Sequence, residues 1–167
     1  GLPFYQGRTD FGFRHPTPRI FCSEPKRLAS PFSTLLSVRA PVGSINMATQ
    51  SSCIGRGVAA IKNSTGHTSF TYYLMDSIQS LFETYNSEGT VFGAINHKDL
   101  SSITVVKSTY EIRDIFENIV EKIDKRISLF IEEISVLTSI RNTLLPRLIS
   151  GELRVPDVEK MLEEVGI

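Results

Sequence analysis

The chain has 167 residues, of which 41% are hydrophobic and 22% are charged, a composition typical of a globular domain with an appendage. No apolar stretch approaches the ~20 residues that span a membrane, and the first residues lack the layout of a signal peptide. The sequence contains no P-loop, no nucleophile elbow and no histidine or cysteine pair at metal-ligand spacing. These exclusions predict a non-catalytic protein without a metal, a cofactor or a membrane partner.

The net charge of zero conceals an asymmetry along the chain. Residues 1–107 carry 10 basic and 6 acidic side chains, a balance of +4, whereas residues 108–167 carry 8 and 12, a balance of −4. Within residues 1–62 the 8 basic side chains are accompanied by only 2 acidic ones. A basic globular part joined to an acidic segment favours two different partners, and the basic part is suited to a polyanion.

Residues 1–62 contain proline and glycine at close intervals, a pattern that disfavours helices and predicts short strands. We predict strands in four apolar segments: 19–22, 34–39, 53–54 and 58–61. Gly55-Arg56-Gly57, between the last two segments, predicts a tight backbone site or a β-bulge. Cys22 and Cys53 give no metal motif and no disulfide framework, and we expect both to be buried, reduced thiols.

The region from residue 63 to residue 107 has a different sequence pattern, in which helical as well as strand-forming segments are predicted. Apolar side chains recur at helical spacing between Thr68 and Phe82, which predicts one helix packed against the sheet. Further along we predict a loop at 86–89, a strand at 90–95, a helical turn at 96–100 and a last strand at 103–106.

The longest apolar periodicity runs from Ser108 to Leu145 and predicts a helix far longer than a globular domain needs. Its spacing is a heptad rhythm with one stutter between Ile123 and Ile127. Nine large apolar residues form this seam: Ile112, Phe116, Ile119, Ile123, Ile127, Phe130, Ile134, Leu137 and Leu144. No comparable helix is predicted elsewhere, and a monomer would expose the whole seam. We therefore expect an antiparallel homodimer in which the helix pairs with its copy.

Sequence signals mark both ends of the long helix. Ser108 with Glu111 three residues later predicts a capping box, in which each side chain satisfies a backbone N–H of the first turn. Pro146 predicts an end or a kink, and Ser150-Gly151 predicts the final stop.

These elements predict an α+β fold with three parts. Residues 1–107 form a small irregular β-rich domain with packed helices, and residues 108–150 form one long coiled-coil-forming helix. Residues 151–167 form a C-terminal tail with a short helix from about residue 156 to residue 165.

Several segments resemble, in the same order, the target-recognition domain of type I restriction–modification specificity subunits. They are Leu2–Gly7, Phe11–Phe13, Leu35–Gly43, Cys53–Ile61 and Gly89–Asn96. Arg141–Leu153 resembles the end of the second conserved helical region of that family. Family members carry two recognition domains and two long helices, whereas this chain has one incomplete domain and one helix. We therefore expect a C-terminal fragment, with a half-length subunit as the alternative.

The resemblance implies a function without chemistry of its own. Each recognition domain of such a subunit binds one half of a bipartite site in double-stranded DNA, and the helical spacer sets the distance between the halves. The spacer also docks modification subunits, which bind S-adenosylmethionine and methylate adenine, and the assembly recruits restriction subunits. We therefore expect a DNA-binding protein of the bacterial or archaeal cytoplasm, with no cofactor of its own.

The basic N-terminal block supplies the candidate DNA-binding residues, because Lys and Arg position phosphates while Arg, Asn, Gln, Ser and Thr read base edges. The leading candidates are Gln6, Arg8, Thr9, Arg14 and Arg19, with Arg8 and Arg14 first. The candidates for phosphate contacts are Lys26, Arg27 and Lys62. Arg39 and Arg56 lie in segments shared by domains that read different sequences, so we expect them to act structurally or to touch the DNA backbone.

Two other functions stay open. The chain is alternatively a coiled-coil protein–protein adaptor whose globular head binds protein, or an enzyme of a type that its motifs do not indicate. The adaptor differs from a DNA-binding subunit in one measurable property, because affinity that rests on phosphates falls steeply with salt concentration. An enzyme would need a titratable cluster in a concave site.

Overall fold

The computed structural model of the chain describes residues 1–87, 93–156 and 160. The chain divides into two compact units, Gly1–Lys125 and Arg126–Ile167. The first unit contains the sheets, the short helices and the beginning of the long helix. Its boundary therefore lies inside the long helix and differs from the predicted boundary at residue 107. The predicted α+β fold class is confirmed.

All strands of the described residues lie before residue 62. They are β1 Leu2–Tyr5, β2 Phe21–Cys22, β3 Leu28–Ala29, β4 Thr34–Ser37, β5 Ile45–Met47, β6 Ser52–Ile54 and β7 Val58–Ile61. One sheet has the order β2-β1-β6-β3, in which β1 and β6 are parallel and the other pairs are antiparallel. The second sheet has the antiparallel order β5-β4-β7.

Four strands match the predicted segments: β7 has the predicted ends, and β2, β4 and β6 have shifted ends. The predicted strand at 103–106 is wrong, because these residues pair with no strand and Ile103 instead packs against the core beside a short helix. Within the predicted strand at 90–95, residues 90–92 lie outside the described residues. Ala94 forms an isolated bridge with Arg39.

Two apolar clusters form the core of the first unit, and strand β4 contributes to both. Leu35 and Leu36 are fully buried and join different clusters, because side chains alternate between the two faces of a strand. The cluster around Leu35 also contains Tyr5, Ala29, Ala48, Ile54 and Val58. The cluster around Leu36 also contains Val42, Ile45, Met47, Tyr72, Met75, Phe82 and Ile95. Full burial of one such leucine contributes roughly 1.5–3 kcal/mol.

Three short helices pack beside the sheets: α1 Thr68–Ser77, α2 Gln79–Ser87 and α3 His97–Ser102. The single helix predicted over α1 and α2 is interrupted at Ile78, where no proline or glycine marks the break in the sequence. The predicted loop at 86–89 is wrong for Asn86 and Ser87, which end α2, while residues 88 and 89 lie outside the described residues. The predicted helical turn at 96–100 is confirmed as α3, capped by the Asn96 side chain, which accepts the N–H of Asp99.

The long helix α4 spans Tyr110–Ile149. Thr109 caps its first turn, because the Thr109 hydroxyl oxygen accepts the N–H of Ile112 at 3.5 Å. The predicted capping box at Ser108 is therefore wrong. The helix begins too late in the chain for Ser108 to reach its first turn, and the buried Ser108 hydroxyl bonds to no described residue.

Of the two outcomes predicted at Pro146, an end or a kink, the structure excludes the end, and the kink stays a prediction. The helix continues for three residues beyond Pro146, whose carbonyl oxygen still accepts the N–H of Ser150 at 2.9 Å. Gly151 then ends the helix in the left-handed region with φ of +74°, as the sequence predicts. In the predicted tail helix, residues 155 and 156 are helical, while residues 157–159 and 161–165 lie outside the described residues.

Candidate nucleic-acid interface

An open groove of about 750 Å³ lies where the end of β1 approaches the turns that follow β4 and β6. Three segments line it, residues 6–9, 39–41 and 55–57, together with the side chain of Phe4. Because the segments come from different turns, the position of each one depends on how its backbone is held.

A buried carboxylate fixes the segment 6–9. Asp10 is 4% exposed and accepts the N–H of Gln6 at 2.7 Å and the N–H of Gly7 at 3.4 Å. Arg19 donates to the same carboxylate from Nε at 3.1 Å and from Nη2 at 2.5 Å. Burial alone would raise the pKa of Asp10, but the hydrogen bonds and the charge of Arg19 lower this pKa below its ordinary value of 3.8. Asp10 is therefore ionised, and Arg19 balances its charge.

The segment 55–57 is a tight turn that hydrogen-bonds to β1 and to the residue that follows β4. The N–H of Gly55 donates to the carbonyl of Tyr5 at 2.8 Å, and the N–H of Val38 donates to the carbonyl of Gly57 at 2.9 Å. A Cβ atom at Gly57 would overlap the carbonyl oxygen of Gln6, so this close approach requires glycine. The predicted tight backbone site is confirmed.

Arg27 holds the same turn from its outer side. Its Nη1 donates to the carbonyl of Gly55 at 2.8 Å, and its Nη2 donates to the carbonyl of Val58 at 3.4 Å. Two donors of this predicted phosphate ligand are therefore directed at the protein backbone. Arg27 positions the turn that carries Arg56.

The segment 39–41 follows β4 and is held by backbone contacts. The N–H of Ala40 donates to the carbonyl of Gly93 at 2.8 Å, beside the bridge between Arg39 and Ala94. The Ser37 hydroxyl donates to the carbonyl of Pro41 at 2.7 Å, across a cis Ala40–Pro41 peptide bond. All three segments of the groove are thus fixed by hydrogen bonds to neighbouring strands or turns.

Arg8, Arg39 and Arg56 give the groove its charge. All three side chains are exposed, and none forms an ion pair with any residue that the structure describes. The lining contains no carboxylate. Three guanidinium groups without a counter-charge make this groove a site of positive potential that attracts anions.

The groove brings together three of the predicted DNA-binding residues, Gln6, Arg8 and Thr9. Lys26 and Lys62 are exposed but do not line the groove. Arg19 is more than half exposed at its side chain, but it is paired with Asp10. Its donors on Nε and Nη2 are thereby occupied within the protein.

Arg39 and Arg56 were not ranked among the leading DNA contacts, although both line the groove. The sequence places Arg39 next to Ala40-Pro41 and Arg56 between two glycines. An arginine next to glycine or proline, in a turn whose backbone is constrained, is the sequence signal that would have predicted both as groove residues.

Arg14 is a buried structural residue, which corrects its prediction as a leading DNA contact. It is 5% exposed, and its guanidinium lies 3.5 Å from the ring centroid of Tyr72 and 4.8 Å from that of Tyr73. Its Nη2 forms an ion pair with Asp124 of α4. Burial raises the pKa of the Tyr72 hydroxyl, opposed by the charge of Arg14, so the ring that stacks on the cation is neutral. Arg14 therefore fastens α1 to α4.

A second carboxylate of α4 caps α1. Glu117 accepts the backbone N–H groups of Ser69 and Phe70, both at 2.9 Å, and the hydroxyl of Thr68 at 3.1 Å. These are N–H groups of the first turn, which have no partner inside their own helix, and a negative charge there also complements the helix dipole. The beginning of α4 is thus bonded to the N-terminus of α1 in the same unit.

Six of the nine predicted seam residues of α4 are exposed, and three are only partly exposed. Phe116 packs edge-on against Phe70 and Tyr73, with ring centroids 5.8 Å and 5.9 Å apart, which corrects its assignment to a seam between chains. Ile127 and Leu144 are half-buried. The remaining seam residues are more than half exposed: Ile112, Ile119, Ile123, Phe130, Ile134 and Leu137.

Other kinds of site find no support in the part of the chain that the structure describes. No three or more His, Cys, Asp or Glu residues come together there in a way that would hold a metal ion. None of the described helices combines the length and the apolar character needed to cross a membrane. Cys53 is buried as predicted, Cys22 is only half-buried, and both are free thiols.

Comparison with known proteins identifies what the chain is similar to. No protein-family model matches it. Over 157 residues, 93% of the chain, it is 33% identical to a protein of Methanocaldococcus jannaschii named as the MjaX type I restriction enzyme specificity subunit. The chain spans 37% of that protein's length.

Solved structures give the same result. A chain from a study of complex assembly and conformational transition in a type I restriction–modification system matches with a TM-score of 0.62 and 33% identity, over 92% of this chain and 39% of that one. The HsdS subunit of Thermoanaerobacter tengcongensis matches with a TM-score of 0.60 and 32% identity, over 92% and 38%. The S subunit of M. genitalium shares the fold at a TM-score of 0.62 and 17% identity, over 89% and 38%.

The fold and sequence define a relative of type I restriction–modification specificity subunits, as the resemblance predicts. The chain corresponds to less than two-fifths of the length of each of these proteins. The activity of a full-length specificity subunit is therefore only proposed for this chain.

Proposed function

We propose that the chain is the DNA-recognising part of a specificity subunit and binds double-stranded DNA at one half of a bipartite site. The observation that carries this proposal is the groove in which Arg8, Arg39 and Arg56 lie beside Gln6 and Thr9 without ion-pair partners among the described residues. Relatives named as specificity subunits support the same function.

The groove offers both kinds of contact that sequence-specific binding needs. Guanidinium groups form paired hydrogen bonds with a phosphate or with a guanine edge, and a glutamine side chain does so with adenine. Exposed Lys26 and Lys62 add attraction for the phosphate backbone. In this proposal the chain performs no reaction. Adenine methylation, and the S-adenosylmethionine that it uses, belong to the modification subunit.

Helix α4 is the proposed spacer and docking element. Its exposed seam would pair with the corresponding helix of a second recognition unit and present a surface to modification subunits, on which restriction subunits assemble. For the isolated chain the same seam predicts an antiparallel homodimer. The exposure of large apolar residues along 40 helical residues supports this proposal, because an isolated soluble helix rarely displays so many.

The DNA-binding proposal is tested by fluorescence anisotropy with random-sequence duplexes at several salt concentrations. We expect the logarithm of the association constant to fall linearly with the logarithm of the salt concentration, because bound phosphates release counterions. A protein–protein adaptor predicts no binding at any salt concentration. No binding to any duplex, by a chain that melts cooperatively, would remove the DNA-binding function.

The seam is tested by sedimentation velocity. Replacing Ile127 and Ile134 with Asp should convert dimers to monomers, since it places charges within an apolar interface. The matched control replaces Asn118 and Ser139, exposed residues outside the seam, with Asp and should leave the dimer intact. Dimers that persist in the seam variant would contradict the pairing.

A further inference from the structure

We propose that Arg39 and Arg56 form a clamp for phosphodiester groups that acts independently of base sequence, while Gln6 and Thr9 in the same groove meet the bases. This division of roles rests on the proposed function and deepens it. It assigns a ligand class, the DNA phosphate, to two arginines whose role the resemblance leaves open.

The first argument is the rigidity of the two turns. Arg56 lies between Gly55, bonded to Tyr5, and Gly57, whose close approach to Gln6 admits no side chain. The backbone of Arg39 is held by an isolated antiparallel bridge to Ala94. A cation presented by a fixed turn suits a group that every duplex displays in the same geometry, and phosphates meet this condition whereas bases do not.

The second argument is charge balance. No described residue of the groove neutralises Arg39 and Arg56, because the described lining has no carboxylate and the nearby Asp10 is paired with Arg19. When DNA covers the groove, water leaves the guanidinium groups, and a charge removed from water without a counter-charge is costly. A base edge is neutral and offers only hydrogen bonds. A phosphate supplies both the hydrogen bonds and the opposite charge.

The third argument concerns the residues that remain. Gln6 and Thr9 are exposed, uncharged and suited to reading base edges, since each has a donor and an acceptor. They lie on the same groove as the arginines, so a duplex held at its backbone by the turns brings its base edges towards the segment 6–9.

The test compares two duplexes, one that the wild-type chain enriches from a random pool and one of unrelated sequence. With Arg39→Gln and Arg56→Gln combined, we expect affinity to fall by about 100-fold for both duplexes, roughly tenfold per arginine, with the salt slope reduced by about 2. With Gln6→Ala and Thr9→Ala combined, affinity should fall for the enriched duplex and not for the unrelated one. Replacing both arginines with lysine should retain the salt slope, since lysine binds phosphate as a point charge.

The matched control is Lys98→Gln with Lys107→Gln, which removes the same two charges from exposed positions outside the groove. It should change affinity by less than about threefold. A loss confined to the enriched duplex in the arginine variant, or a loss of the salt slope with lysine, would overturn the clamp and make the arginines base readers. A wild-type chain that binds neither duplex would overturn the proposed function itself, and the clamp with it.

Discussion

At the contact between α1 and α4, the guanidinium of Arg14 is buried between a tyrosine ring and Asp124. In the groove, Arg39 and Arg56 are exposed and have no ion-pair partner among the described residues. Both regions belong to the first unit, and both use the same side chain. At the helix contact Asp124 balances the charge of the cation inside the protein, although Arg14 Nε has no hydrogen-bond partner among the described residues. In the groove no described residue supplies a counter-charge, and in our proposal DNA supplies it.

The comparison shows how one residue type takes two roles within a small domain. A buried ion pair adds little when both members are present, but removing one member leaves a charge that neither water nor protein neutralises. An exposed arginine carries no such penalty, because water already solvates it. Mutations at the two regions should therefore separate stability from the proposed DNA binding.

The largest effect is expected for Asp124→Ala, which leaves Arg14 buried without its counter-charge. The free energy of unfolding should fall by about 3–5 kcal/mol, measured by urea denaturation. Glu121→Ala, which breaks the more exposed pair with Lys125, is the control and should cost less than about 1 kcal/mol. Replacing both Arg14 with Met and Asp124 with Leu should recover much of the loss, and equal losses in the single and double variants would contradict the ion-pair argument.

A smaller loss is expected for Glu117→Ala, which removes three hydrogen bonds from the start of α1. The free energy of unfolding should fall by about 2 kcal/mol, the range of a lost charged cap. Glu117→Gln keeps an acceptor oxygen and should lose roughly half as much. If both variants unfold like the wild type in urea, the contact between Glu117 and α1 does not contribute to the free energy of unfolding.

Acid should lower the folding stability that Asp10 contributes beside the groove. Its pKa is lowered in the folded chain, so its contribution to stability is complete above the ordinary value of 3.8 and disappears as pH falls through the lower folded value. Asp10→Asn should therefore be less stable than wild type at pH 6, and the difference should shrink below about pH 4. Thermal melting between pH 6 and pH 2.5 measures this difference, and a constant difference would show that Asp10 acts through its shape alone.

The smallest effect on stability is expected in the groove. Arg39→Ala and Arg56→Ala should each change the free energy of unfolding by less than about 0.5 kcal/mol, because neither side chain forms an ion pair with a described residue. The measurement is urea denaturation of each variant beside the wild type. A loss above about 1 kcal/mol would mean that the groove arginines are structural after all, and would remove the contrast with Arg14.

The sequence predicts the fold best where an apolar repeat extends over many residues. The 40 residues of α4 repeat their apolar spacing often enough to predict the helix, and Gly151 marks its end. The two-residue strand β3 offers no alternation to detect. The segment 103–106 has the composition of a strand, but composition does not reveal whether a neighbouring strand exists to pair with it.

The candidate site was predicted in part for a similar reason. Gln6, Arg8 and Thr9 lie within four positions of the sequence, so their composition alone indicates a polar, basic loop. The partner of Arg14 lies 110 residues further along the chain, and no local pattern connects the two. Arg39 and Arg56 reach the same groove only because two turns meet in three dimensions.

The boundary of the first unit inside α4 has a consequence for exchanging this unit between related proteins. A cut at residue 107 would separate Arg14 from Asp124 and α1 from Glu117, and so expose surface that is satisfied in the intact chain. A transplant that ends at Lys125 would carry these contacts with it. The unit that can be transferred intact is therefore the β-rich part together with the first turns of α4, and a chimaera joined within α4 keeps the contacts that stabilise this unit.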